Sequence, residues 1–327
     1  MTRIWLEELP SRVGDAVEVA GWVYNFRSSG KIYFLQLRDG TARVQAVCAA
    51  DDVSEEVFRR CGDITTESSV RIFGAVRADA RAPGGVELLV KELEILGVAE
   101  EYPIRKKDHG VDFLLDRRHL WLRSSRQEAI LKIRSAIEHA IERFFDERGF
   151  YRVDAPILTP ASCEGTTTLF ETDYFGRPAY LSQSGQLYNE AAAAALGKVY
   201  CAGPTFRAEK SKTRRHVMEF WMIEPEVAFL DHDGNVKLGE ELVTAVVAAV
   251  LENNRAELAV VERDTAALER VRAPFPRVTY DAARDILAAK GCDLPWGEDL
   301  GGDEQTALAE EFDRPFVVEK FPLEAKA

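Results

Sequence analysis

The densest chemistry in this chain lies between Phe206 and Glu226, FRAEKSKTRRHVMEFWMIEPE. Two β-rich runs, expected as strands over Val199–Glu209 and His216–Phe229, flank a loop carrying Lys210, Lys212, Arg214 and Arg215. Cations gathered at a hairpin tip suit a polyphosphate, which takes up several charge-assisted hydrogen bonds at once. Alternate residues of a strand share a face. Arg207 and Glu209 should therefore lie together on the first strand, and Glu219 and Trp221 on one face of the return strand with Phe220 on the other. Spacing alone leaves two readings open: a polyphosphate clamp, or a solvated charged hairpin over an apolar sheet. Two further segments, ASCEGTTTLFE (Ala161–Glu171) and LSQSGQLYNE (Leu181–Glu190), are on their own ordinary polar loops.

Other elements must position that hairpin. Apolar residues at Ile130, Ile133, Ile137, Ile141 and Phe144 predict a long amphipathic helix over Ser125–Arg148 with one buried face, closed by Gly149. A strand over Tyr151–Leu158 follows, interrupted by Pro156, which belongs at an edge or an irregularity. Further on, an Ala-rich helix is expected over Glu190–Leu196, helices over Leu238–Arg255 and Asp281–Lys290, and a strand over Phe316–Phe321. Residues 291–314 read as polar and Gly-rich. Strands are also predicted over Val17–Phe26, Ile32–Arg38 and Arg43–Cys48, then a helix over Asp51–Cys61 with Asp51 as its N-cap, then strands over Ser69–Ala78 and Val86–Leu96. Three strands, a helix and two strands is the order of an OB-fold barrel, a fold that commonly binds single-stranded nucleic acid. The chain is thus read as α+β: a barrel over 1–100, a basic connector over 101–124, and an α/β-mixed domain over 125–327.

The Phe206–Glu226 segment resembles motif 2 of the class II aminoacyl-tRNA synthetases, in the wording of their aspartate/asparagine/lysine subgroup. The resemblance implies a catalytic domain built on an antiparallel sheet flanked by helices. It also implies roles for matching residues. Arg207 is similar to the arginine that grips the α-phosphate of ATP and the amino-acid carboxylate. Phe220 matches the aromatic that stacks on adenine, Arg215 and His216 match loop residues near the β- and γ-phosphates, and Glu209 matches an acidic residue near adenine or the tRNA 3′ end. The chemistry is consistent with this. The substrate carboxylate attacks phosphorus, so no protein nucleophile is needed, and a bidentate arginine meets the developing charge. GFYRVDAPIL, Gly149–Leu158, resembles motif 1, whose proline matches Pro156 and which forms the homodimer interface in that family.

The amino acid is indicated by the two polar segments. Glu164 matches a glutamate facing the α-amino group, and Ser184 and Gln186 match contacts to the bound amino acid. Aspartyl enzymes of the subgroup usually read S-P-Q-L-x-K here, with the lysine meeting the substrate carboxylate. This chain has Gly185 for the proline and Asn189 for the lysine. Glu224 matches the residue that accepts the carboxamide NH2 of asparagine, and a site built on such a bond rejects substrates that leave it unpaired. The resemblance is therefore to the asparaginyl branch, implying asparagine, ATP and tRNA(Asn) as substrates. In the barrel, Gly21–Gly40 and Arg43–Val47 resemble the anticodon-binding domain of the subgroup, with Arg27, Phe34 and Gln45 as its matching contacts. Ala202 departs from the family, which usually has an aromatic there. The resemblance stops before motif 3 and before the glutamates that hold Mg2+ near the phosphates; the ion is expected to rely on that further part, and the chain as written is expected not to form adenylate at a useful rate. The competing readings are an aspartyl-tRNA synthetase and a non-catalytic tRNA-binding fragment; a related asparagine synthetase would lack the barrel.

Composition excludes several classes. With 46% hydrophobic and 30% charged residues the chain is neither disordered nor membrane-like, no apolar run approaches a spanning length, and no signal peptide is read at the N-terminus, so a cytoplasmic protein is expected. The five cysteines show no C-x-x-C spacing, so neither a zinc site nor a disulfide framework is expected, and no metal ligands are assigned. A formal net charge of −13 argues against nucleic acid until its distribution is considered. Residues 228–327 hold 11 basic and 21 acidic side chains, whereas residues 101–133 hold 8 basic and 5 acidic ones. The basic character is local, as phosphate contacts require.

Overall fold

The computed structural model describes residues 3–105, 107–163, 169–210 and 216–325. The chain divides into two compact units, Met1–Trp121 and Leu122–Ala327.

The first unit is a closed five-stranded barrel. Its strands are β1 (Ala16–Ser29), β2 (Ile32–Arg38), β3 (Arg43–Ala49), β4 (Ser69–Ala78) and β5 (Val86–Gly97), with helix α1 (Glu55–Gly62) between β3 and β4. The order around the barrel is β1-β2-β3-β5-β4. Closure depends on the length of β1. Its first half pairs with β4, from Ala16 opposite Ala75 to Trp22 opposite Ser69, and its second half pairs with β2. The register shifts between Val23 and Asn25, a bulge that re-aims the strand at the changeover. Inward residues alternate along every strand, and Val19, Val23, Leu35, Leu37, Ile72 and Leu88 fill the interior. Leu6 and Leu9, on a 3-10 turn over Leu6–Arg12, complete that core, and Asp39 accepts the Leu6 N–H at 2.8 Å. The sequence carries no periodic signal for that turn. Ser54 rather than Asp51 caps α1, accepting the Val57 N–H, because residues 50–52 are still in the turn that leaves β3. The five cysteines are free. Cys48 and Cys61 are buried in the barrel core, where the neighbouring Cys48 thiol and burial push the Cys61 thiol upward. Helices α2 (Val111–Asp116) and α3 (Arg118–Trp121) end this unit.

The second unit begins with α4 (Ser125–Asp146), capped by Ser124. Then come β6 (Tyr151–Arg152), β7 (Leu158–Thr159), β8 (Glu171–Tyr174), β9 (Arg177–Leu181), α5 (Gln186–Leu196), β10 (Lys198–Phe206), β11 (Glu219–Val227) and α6 (His232–Asn253). The main sheet has the order β11-β10-β6, and a smaller one the order β7-β9-β8. One face of the main sheet packs Tyr200, Ala202, Ile223 and Val227 with Phe144 and Phe145 of α4 and Leu238 and Leu242 of α6. Tyr200 stacks on Phe145 at 4.5 Å between ring centroids. Ala202 belongs to this core. Helices α7 (Arg255–Val260) and α8 (Ala266–Glu269) follow α6. A last module, with parallel strands β12 (Arg277–Thr279) and β13 (Val317–Glu319) and helices α9 (Tyr280–Ala289) and α10 (Gly302–Ala309), has its own core around Tyr280, Leu287 and Leu308.

Two expectations are corrected. The buried face of α4 is made by Ala129, Ala140, Phe144 and Phe145, while Ile130 is exposed, because the sheet underlies only the C-terminal half of the helix. Pro156 does not interrupt a strand; the pairing of β6 ends at Arg152, and Pro156 lies in the exposed irregular stretch before β7. Residues 291–314, read as polar and Gly-rich, include α10.

In the barrel wall, Arg38 and Glu67 form a bidentate ion pair at 3.2 and 2.9 Å with side chains only 8% and 3% exposed. Glu67 sits at φ +71°, and backbone bonds from its own N–H to Val23 O and from Val23 N–H to Ser68 O join it to the β1 bulge. Removing one partner leaves a buried charge uncompensated, so Glu67→Ala should cost about 3 kcal/mol in urea unfolding. Replacing both (Arg38→Met with Glu67→Met) should recover much of that loss. A single variant within about 0.5 kcal/mol of the parent would contradict the assignment.

Candidate active site and nucleic-acid interface

The β10–β11 hairpin sets the geometry of the site. Its register runs from Lys198 opposite Val227 to Phe206 opposite Glu219, which places Thr205 against Phe220, Gly203 against Met222 and Cys201 against Glu224. With the opposite face committed to α4 and α6, these six residues line the open face. Phe220 and Glu224 point the same way four residues apart, about 13 Å at the usual rise of a strand. The expected alternation of Phe220 against Glu219 and Trp221 follows from the same pairing.

At the loop end, β10 stops at Phe206, shorter than expected. The Arg207 N–H still donates to Met218 O at 2.9 Å, but Glu209 N–H turns back onto Arg207 O at 2.8 Å and breaks the ladder. Arg207 and Glu209 therefore do not share a strand face. Arg207 leans toward Phe220, with its guanidinium carbon 5.6 Å from the ring centroid, within cation–π range. His216 is exposed just ahead of β11. Arg215 and Glu164 lie outside the described residues, as do Lys212 and Arg214.

At the far end, Glu224 is held by three donors. The Ser184 hydroxyl donates to Oε1, and the Gly185 N–H donates to Oε2 at 2.9 Å. The Cys201 thiol reaches the same Oε2 at 3.4 Å. Burial first, then the charge of Glu224, pushes that thiol up to about 12. Ser184 also caps the start of α5, accepting the Gln186 N–H at 3.1 Å. Gln186 is exposed and donates from Nε2 to Glu190 at 2.9 Å. Burial, then the charges of Glu190 and Glu224, raise the Glu226 carboxyl above its ordinary value. The open face thus runs from a cation at Arg207 to carboxylates at Glu190, Glu224 and Glu226. The segment is tied to the hairpin by the Phe206 N–H donating to Ser182 O at 2.8 Å. Asn189 is fully buried on the first turns of α5.

Gly185 has a steric reason. A Cβ built there would stand 2.5 Å from Cys201 Sγ and 3.1 Å from the Ala155 Cβ. A proline would in addition remove the N–H that holds Glu224. The sequence singled out Gly185 as a departure, but not Cys201. Its place opposite Glu224 emerges only when residues are counted back in pairs from the hairpin loop.

On the barrel, Arg27, Phe34 and Gln45 come together. Arg27 and Phe34 are cross-strand partners, and the guanidinium lies 4.3 Å over the ring. Arg27 also reaches Gln45 Oε1 at 3.5 Å. Sequence reasoning missed the next layer: Gln45 Nε2 donates to Glu87 at 2.7 Å, and Glu87, buried in the wall, accepts from Arg77 at 2.6 Å. An aromatic, an arginine and a fixed amide on an OB-fold sheet are the components of single-stranded base recognition.

Comparison with known proteins agrees with both halves of this description. Residues 110–327 match the family of tRNA synthetases class II (D, K and N), and residues 17–96 match the OB-fold nucleic acid binding domain. The chain is 55% identical over its whole length to an asparagine–tRNA ligase of Pelotomaculum thermopropionicum, covering 76% of that protein. It is 56% identical to one of Chloroflexus aurantiacus, with 96% of this chain and 73% of that protein aligned. Among solved structures, an asparaginyl-tRNA synthetase from Pyrococcus horikoshii in complex with asparaginyl-adenylate superposes with a TM-score of 0.95 at 43% identity, covering 99% of this chain and 75% of that one. The chain belongs to the asparagine–tRNA ligase family of the class II tRNA synthetases.

Proposed function

We propose that the chain carries the site at which asparagine is activated with ATP and passed to tRNA(Asn). In the first step an asparagine carboxylate oxygen attacks the α-phosphorus of ATP, and pyrophosphate leaves with the electrons of the broken P–O bond. In the second, a ribose hydroxyl at the tRNA 3′ end attacks the acyl carbon of the adenylate, and AMP leaves. The observation that carries this reading is the single strand face bearing Phe220 beside Arg207 at one end and Glu224 at the other. An aminoacyl-adenylate has an aromatic base, a charged phosphate and a side-chain tip to distribute along such a face.

In this reading Phe220 stacks on adenine, and Arg207 bridges the α-phosphate and the attacking carboxylate, stabilising charge that grows in the transition state. Glu209, His216 and Arg215 serve the nucleotide and its distal phosphates. Ser184, Gln186 and Glu164 surround the amino acid, and Glu224 accepts from its carboxamide. A substrate carboxylate would meet Glu224 as a like charge and would lack the cation that a buried lysine at position 189 could supply. Mg2+ accompanies ATP as the counter-ion of its phosphates. Among the described residues no cluster of three acidic, His or Cys side chains stands ready to hold a metal.

In the barrel, Phe34 stacks on a splayed anticodon base and Gln45 reads its edge, with Arg27 moving off the ring to admit it. We assign the barrel to 1–100, the connector to 101–124 and the catalytic domain to 125–327. The working form is a homodimer. Its support is exposed apolar surface on α4, at Ile130 and Leu131, and in motif 1, at Tyr151, Ile157 and Leu158. The described residues contain no helix long and apolar enough to cross a membrane, and translation places the work in the cytoplasm.

Two binding experiments test this. Calorimetry with the non-hydrolysable sulfamoyl analogue of asparaginyl-adenylate should show tight binding that Arg207→Ala weakens by about a hundredfold, the scale of one lost charge-assisted contact. Equal affinity in both proteins would remove Arg207 from the site. For the barrel, Phe34→Ala should weaken binding of a tRNA(Asn) anticodon stem-loop by about tenfold or more, one stacked base. An unchanged affinity would remove the anticodon reading.

A further inference from the structure

Glu224 has a simple hydrogen-bond arithmetic. An ionised carboxylate offers about four acceptor positions and no donor. Ser184, Gly185 and Cys201 occupy three of them. About one acceptor position is left, and it can take only a donor. Two of the three donors come from the turn that starts α5: the Gly185 N–H, fixed by the backbone, and the Ser184 hydroxyl, whose oxygen is held by the Gln186 N–H. The third comes from the cross-strand neighbour, directly opposite Glu224 in the β10–β11 ladder. It puts a second hydrogen bond on Oε2, beside that of the Gly185 N–H, and so leaves the open acceptor position on Oε1.

We propose that Cys201 is a positioning residue for side-chain selection: its thiol fixes the Glu224 carboxylate so that the remaining acceptor position faces a substrate carboxamide, and it makes positions 185 and 201 a coupled pair. This rests on the reading of Glu224 as the carboxamide acceptor and extends it to a residue that does not itself touch the substrate.

Three observations support it. Cys201 is buried at 4% exposure, so solvent does not compete for its S–H. The thiol remains protonated through the physiological range, because burial and the neighbouring carboxylate both oppose its ionisation; it is a permanent, neutral donor that adds no charge to the site. And the sulfur fills the space that a side chain at 185 would need, 2.5 Å from an ideal Cβ there. Gly185 has φ −87°, an ordinary value for any residue, so its lack of a side chain answers to the sulfur and the Ala155 methyl rather than to backbone strain. Asn189 stands close to the same pocket; it is fully buried, and neither its amide nitrogen nor its amide oxygen has a hydrogen-bond partner among the described residues.

The test is selectivity. The full chain and its Cys201→Ala, Cys201→Ser and Gly185→Ala variants are titrated with the sulfamoyl analogues of asparaginyl- and aspartyl-adenylate, and melting temperatures check the fold. In Cys201→Ala the asparaginyl analogue should lose about tenfold in affinity, one hydrogen bond to a charged group, while the aspartyl analogue changes little. Cys201→Ser, which keeps a donor, should restore the asparagine-over-aspartate ratio to within about threefold. Gly185→Ala should lower the ratio in the parent and have little further effect in the Cys201→Ala background, where the sulfur is gone. An unchanged ratio in Cys201→Ala, or an equal loss for both analogues, overturns the proposal and leaves the reading of Glu224 intact. If the parent chain itself fails to prefer the asparaginyl analogue, the reading of Glu224 falls and the proposal with it.

Discussion

The register of one antiparallel pair governs this molecule's chemistry. Because Cys201 sits opposite Glu224 and Thr205 opposite Phe220, one face of the hairpin carries both ends of the candidate site. A slip of a single residue would turn every one of these side chains into the core and bring Tyr200, Ala202 and Ile223 to the surface. The apolar face therefore enforces the polar one. Phe145, stacked on Tyr200, and α6 behind Ile223 and Val227 hold the register in which the site exists. Packing energy on one side of the sheet becomes positional accuracy on the other, which is what catalysis by orientation and electrostatics requires.

The barrel shows the same economy. Its face presents few recognition groups, but each is held by a neighbour: Phe34 lies under Arg27, and Gln45 is turned by Glu87, which Arg77 holds in turn. With the Gln45 NH2 committed to Glu87, its carbonyl oxygen is the part directed toward Arg27. A fixed amide distinguishes donor from acceptor on a base edge, whereas a rotating one accepts either.

Much of this was legible in the sequence, and the exceptions have physical causes. Alternation located β2 and β4 to the residue, since each has one face in the barrel core and one outside. The ends of β10 were misjudged because extended propensity continues through Arg207 and Glu209, while a local turn onto Arg207 O interrupts the pairing. The α1 cap was misplaced because Asp51 and Ser54 are both good caps, and only the exit path of β3 decides between them. Ile130 satisfied the helical period of α4, yet the sheet underlies only part of that helix. Among the candidate site residues, Arg207, Phe220, Ser184 and Glu224 were assigned by resemblance. Cys201 was not, because a lone cysteine in a strand carries no local signal; its significance comes from the residue 23 positions away that faces it.

The central claim is that one strand face seats the whole adenylate, with the base at Phe220 and the amino-acid side chain at Glu224. The most direct measurement is a crystal structure of this protein with the sulfamoyl analogue of asparaginyl-adenylate bound. The expected result is adenine stacked on Phe220, the Arg207 guanidinium on the sulfamoyl oxygens, and the carboxamide nitrogen within hydrogen-bond reach of a Glu224 oxygen. An analogue bound with its carboxamide away from Glu224, or with its base off Phe220, would contradict the account.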